Sequence, residues 1–219
     1  MFFHINPSRG SKVLLELLGE DFEGILQVDY FSANKKFVKD HGLKVQYCWA
    51  HLIRDIKFLA ELGHKNLQRW AQHLLNIIKA MLKVWRQHHL RHPKRWRRKI
   101  EKLKKTFLDR VMRPPRHREA LNIKNRFIGT GRDRYFLFLE VEGVEPTNNA
   151  TEQKIRHVIL DRRVTQGTRS WAGMRWCERA WTVVATCTTQ NRSVFKYFHE
   201  SLKAHYTNTP YPSILPQNL

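Results

Sequence analysis

Two carboxylates stand where an α/β protein would place chemistry. Asp29 lies between Val28 and Tyr30, at the C-terminal end of the apolar run "GILQVDY" (24–30). Strand ends of this kind open onto the crevice where α/β sheets bind ligands. Asp29 equally suits the start of a turn into the next helix, where aspartate is common. Glu152 lies in "EPTNNATEQKIRH" (145–157), three residues after Asn149. That spacing nearly matches a capping box, and Glu152 with Arg156 has the i,i+4 spacing of a helix ion pair. Taken singly, each acid has a structural explanation. Taken together, they offer oxygen donors to a hard cation such as Mg²⁺ or Mn²⁺. Paired ions of that kind can activate an attacking oxygen and stabilise a leaving one at a phosphodiester. A third feature is "CWAHLIRD" (48–55), with His51 after a strand-like run and Arg54 one helical turn later. His51 could contact phosphate, assist proton transfer or order the strand–helix junction. Trp49 reads as core.

The elements that must position these groups follow from periodicity. "MFFHIN" (1–6) reads as a strand, and "SKVLLELLG" (11–19) as a helix stopped by Gly19. "GILQVDY" is a buried strand. "SANKKFVKDHG" (32–42) is a helix with Ser32 as N-cap and Gly42 as its stop. "LKVQYCWAH" (43–51) is another strand. Strands alternating with helices predict a parallel arrangement in an α/β layer. Leu67, Trp70, Leu74, Ile77, Ile78, Met81, Leu82 and Trp85 recur at three- and four-residue steps, one apolar helical stripe. It resumes with Ile100, Leu103, Phe107 and Val111, separated by Pro93 and closed by Pro114-Pro115. "RYFLFLEVEG" (134–143) fits strand or helix. Helices are predicted over 148–163, with Ile155, Val158 and Ile159 facing inward, over 173–190 and over 193–206. "TNTPYPSILPQNL" (207–219) reads as an extended tail. The domain expectation is a core at 1–51, a basic helical insertion at 52–144, closing helices at 145–206 and the tail.

Charge points to the partner. The chain of 219 residues carries 40 Lys and Arg against 19 Asp and Glu, a formal +21. Residues 64–118 hold 18 of those bases and only two acids. A surface of this kind favours polyanions, with nucleic acid first. Lys94, Arg95, Arg97 and Arg98 form the densest run. No apolar run reaches the ~18 residues of a spanning helix. No charged segment precedes an apolar one at the start, as a secretory signal requires. The three cysteines, Cys48, Cys177 and Cys187, fit a reducing, cytoplasmic setting rather than a disulfide framework. Cys48 and His51 form a lone C-x-x-H, short of the four ligands of a structural zinc site.

The segments "GILQVDYFSAN", "CWAHLIRDIKF", "EPTNNATEQKIRHVILDRRVTQGTRSWAG" and "TPYPSILP" occur in this order. They resemble the C-terminal part of bacterial transposases of the insertion sequence 66 family, over nearly the whole chain. Asn-Asn-x-x-Glu with the downstream "RxxxxGTxS" is the specific part. The resemblance implies the DDE class and a partial ribonuclease H-like α/β core with a large basic helical insertion and C-terminal helices. Asp29 then matches the second catalytic aspartate and Glu152 the catalytic glutamate, both ligands of Mg²⁺ or Mn²⁺ in DNA cleavage and strand transfer. His51 and Arg54 match a Cys-Trp-Ala-His-x-x-Arg motif. Arg54, Lys94, Arg95, Arg97, Arg98, Lys154, Arg156, Arg162 and Arg163 are the expected DNA contacts. Gln153 departs from the arginine more usual there. The family's first aspartate is expected upstream of the segment matched by "FFHIN". The chain is therefore expected to be N-terminally truncated, inactive alone and prone to self-association. The alternative reading is a basic nucleic-acid-binding protein with no catalysis.

Overall fold

A computed structural model describes residues 1–8, 10–30, 37–38, 42–90 and 92–215. Of the expected helix at 32–42 only Phe37, Val38 and Gly42 fall among them; Phe37 and Val38 are helical and buried, and Gly42 has the positive φ (62°) of a helix stop. The rest of that segment lies outside the described residues. The described residues are mostly helical, with one two-stranded parallel sheet. They divide into two compact units, Leu18–Asn149, and Met1–Leu17 with Ala150–Leu219.

In the unit Leu18–Asn149, β1 (Ile25–Val28) pairs in parallel with β2 (Lys44–Tyr47), in the register Ile25 to Lys44 and Val28 to Tyr47. β2 leads into α2 (Trp49–Glu61), numbered after α1 (Ser11–Leu18). α3 (Lys65–Arg86) buries Leu67, Trp70, Ala71, Leu74, Ile77, Ile78, Met81 and Val84, the stripe its periodicity requires. A 3₁₀ turn at His88–Leu90 leads to α4 (Pro93–Val111). Pro93 stands in the first turn of α4, where its missing N–H costs nothing. α3 and α4 run antiparallel, tied at both ends by indoles. Trp70 Nε1 donates to the Arg110 carbonyl (2.9 Å) and Trp96 Nε1 to that of Val84 (3.1 Å).

Short helices α5 (Arg118–Asn125) and α6 (Gly131–Phe136), then a 3₁₀ turn at Leu137–Leu139, close this unit. The run 134–143, open to strand or helix in the sequence, is therefore helical at its start. Its polar backbone groups bond side chains of β2 and α2 instead of a strand ladder. Fully buried Gln46 donates to the Tyr135 carbonyl (3.2 Å) and accepts the Phe138 amide (2.8 Å), and Trp49 Nε1 also donates to Tyr135 O. Trp49 is core, as expected, with Phe107, Phe136 and Phe138 rings 5.3–6.1 Å from its own. Strands and helices share one hydrophobic cluster that runs from Val38 to Phe138.

The second unit holds α7 (Asn149–Val164), α8 (Trp171–Thr189) and α9 (Val194–Thr207). Ser170 and Ser193 cap α8 and α9 by accepting the amides of Gly173 and Lys196. Among the described residues, the strand expected at residues 1–6 has no strand partner. It runs extended along α8, and its backbone bonds side chains four residues apart. Met1 meets Thr186, Phe3 N donates to Thr182 Oγ1 (3.1 Å), and Ile5 N donates to Glu178 Oε1. The match is geometric. Alternate residues of an extended chain are about 6.6 Å apart, and helix residues i and i+4 about 6 Å. The expected inward face of α7 is also corrected. No α7 residue is buried, and Ile155 and Ile159 are 39% and 46% exposed.

Candidate functional site

In the unit Leu18–Asn149 the site is built at the C-terminal end of the parallel strand pair. Asp29 follows β1 directly and is half-buried. The Cys48 amide donates to the Val28 carbonyl at 2.9 Å, which carries the pairing one step past β2. α2 begins at the next residue, so half-buried His51 falls in its first turn and exposed Arg54 in its second. The 146–148 segment closes on this junction. The Trp49 amide donates to the Pro146 carbonyl (2.9 Å), and the Asn148 amide lies 3.5 Å from Cys48 Sγ as a donor. Gln27 Nε2 donates to the Glu145 carbonyl (2.7 Å). Thus Asp29, the Cys48–His51 turn and Asn148 converge on one strand edge.

One face of that edge is an aromatic and cationic cluster absent from the sequence-based site. Tyr30, next to Asp29, meets Tyr47 edge-on at 5.1 Å and Tyr135 at 6.3 Å. The Arg126 guanidinium lies 5.0 Å from the Tyr30 ring centroid and pairs with Asp55 at 2.7 Å. Burial raises the Tyr135 phenol well above its ordinary range, and Arg126 beside it offsets only part of that. Burial likewise raises the Tyr47 phenol, opposed by a hydrogen bond from Arg134. For Arg126, burial works against the charge, but the Tyr135 phenol and the Asp55 carboxylate outweigh it and the guanidinium pKa is raised. Asp55 stands in the motif "CWAHLIRD" beside Arg54, the only sequence signal for this cluster. Nothing local in "NRFIGTG" marks Arg126.

The basic residues expected to contact DNA lie on three elements, Arg54 on α2 and the others on α4 and α7. Lys94, Arg95, Arg97 and Arg98 are all exposed in the first turns of α4. Lys94, Arg95 and Arg98 line, with His92, a shallow basin of about 540 Å³. In the other unit, Glu152 is half-buried in the first turn of α7, and Lys154 is half-buried one step beyond Gln153. Arg156, Arg162 and Arg163 are exposed along the same helix. α7 begins at Asn149, so the N-cap position falls on Asn148 rather than Asn149. Among the described residues the Asn148 Oδ1 is buried without a hydrogen-bond partner.

The described residues combine a parallel strand pair followed by a carboxylate with a strongly basic helical hairpin, in a mostly helical architecture compatible with the α/β class. The Transposase IS66 family model matches residues 1–176, and the chain belongs to that family. Family membership supports a transposase function and implies DNA as the partner. No curated protein and no solved structure matches the chain. Among the described residues no helix is long and apolar enough to cross a membrane.

Proposed function

We propose that Asp29 and Glu152 are two carboxylates of a divalent-metal site of the DDE type, on a ribonuclease H-like core, that serves DNA cleavage and strand transfer. The observation that carries this reading is the convergence at the strand edge. Val28 O, Cys48 and Asn148 are linked by successive hydrogen bonds, Asp29 is the residue after Val28, and Glu152 follows Asn148 by four residues. Glu152 stands in the first turn of the helix that begins at Asn149, the residue after Asn148.

The donor set fits the metal. Two carboxylates are hard oxygen donors, and Mg²⁺ and Mn²⁺ prefer such ligands. When bound, the ion supplies charge stabilisation at the phosphodiester. His51, in the first turn of α2, contacts a phosphate oxygen or moves a proton there. Arg54 and the exposed bases of α4 and α7 hold the phosphate backbone, which sets register without reading sequence. The helical insertion supplies most of that charge.

The test is Mn²⁺ binding to the full chain, followed by electron paramagnetic resonance. Asp29→Asn and Glu152→Gln should each weaken binding by at least about tenfold, the loss of one charged ligand, with melting temperature kept. Binding indifferent to both changes, beside retained salt-sensitive DNA binding, would favour the non-catalytic nucleic-acid-binding reading instead.

A further inference from the structure

We propose that Arg126 is a positioning residue that fixes the end of the Asp29 strand to the helical insertion. This rests on the metal-site reading for its consequence, though not for its structural basis. Arg126 follows α5 as its C-cap, far along the chain from β1. Its side chain is only 16% exposed. Three elements meet on it. Asp55 of α2 takes one Nη at 2.7 Å, the guanidinium carbon lies over the Tyr30 ring 5.0 Å from its centroid, and the charge acts on the buried Tyr135 phenol of α6. Phe127, the next residue, stacks on Tyr135 at 4.7 Å.

Tyr30 is the lever. It follows Asp29 directly, just past Val28, the last ladder residue of β1. With the Tyr30 ring clamped between Arg126 and Tyr47, the backbone torsions at Asp29 lose most of their freedom. A planar guanidinium suits this role, since it can lie on a ring face while its edge nitrogens bond a carboxylate. An ammonium makes only one such contact well. Catalytic carboxylates must be held within about 0.5 Å of their productive placement. The Arg126 contact with Tyr30, anchored by Asp55, contributes to that placement.

The experiment combines hydrogen exchange with Mn²⁺ binding on the full chain, comparing Arg126→Met, Arg126→Lys and Tyr30→Leu, with exposed Arg132→Met as control. Arg126→Met should raise amide exchange in a peptide covering 25–31 at least tenfold, leave α3 and α4 unchanged, and weaken Mn²⁺ binding severalfold at constant melting temperature. Arg126→Lys should recover only part of both. Tyr30→Leu should reproduce the exchange change with the Arg126–Asp55 pair intact, and it carries the test if Arg126→Met does not fold. Unchanged exchange at 25–31 in both Arg126→Met and Tyr30→Leu overturns the proposal. Raised exchange in a protein that binds no Mn²⁺ even as wild type supports the tether and instead defeats the metal-site reading.

Discussion

Glu178 gathers four polar contacts around one buried carboxylate. Its side chain is 8% exposed on α8. Both carboxylate oxygens take Arg175 Nη1 at 2.6 Å, His4 Nδ1 lies at 3.1 Å, and the Ile5 amide donates to Oε1. Glu178→Gln keeps the shape and removes the charge from hydrogen bonds that are worth about 1.5–3 kcal/mol when charged. A stability loss of that size is expected in urea unfolding, with the slope unchanged. An unmoved midpoint would show that the clip on residues 1–5 does not depend on it. The buried tyrosines make a second expectation. Burial raises the Tyr47 and Tyr135 phenols. On raising the pH the unfolded phenols ionise first, near their ordinary value of about 10, so the unfolded state holds fewer protons and stability falls. The contribution is whole below that pH and is lost as pH climbs through the folded values above it. Melting temperature should drop across this range, and Tyr47→Phe should flatten the drop. Neither residue was visible as special in the sequence, because a buried tyrosine and a surface one carry the same letter.

At the scale of elements, α4 carries the densest part of the proposed DNA-contacting surface. It buries Ile100, Phe107 and Val111 against the rest of its unit and turns Lys94, Arg95, Arg97 and Arg98 outward. Each phosphate contact releases counterions, and each contributes about 0.9 to the slope of log affinity against log salt. Replacing these four bases with Gln should therefore lower that slope by up to about 3.6 while leaving the helix folded. Fluorescence anisotropy with duplex DNA across a salt series measures it, and an unchanged slope would move the DNA track elsewhere. This element was fully legible in the sequence. Its stripe, its proline start and its charge run are all local patterns with helical period. The parallel strands were legible in place, although the strand expected over 43–51 ends at Tyr47 and helix begins at Trp49, and α7 was legible as a helix but not in the face it turns inward. The segment 1–6 was not, since its apolar, aromatic composition says extended but does not say what it lies against.

For the whole molecule, the sequence by itself determined the basic balance, the helical hairpin, the strand that ends in Asp29 and the helix that opens near Glu152. It also carried the family motifs, because motif residues keep their order and spacing along the chain. These are short-range properties, written in periods of two and 3.6 residues and in turn chemistry. Only the tertiary structure decided which distant groups meet. It put Gln46 inside the core to satisfy the 135–138 backbone, laid residues 1–5 along α8, and set Arg126 over Tyr30. Each of these depends on the path of the chain between the partners. Helical and strand periodicity fixes which face an element buries, while the identity of the surface that covers that face emerges only when all the elements pack at once.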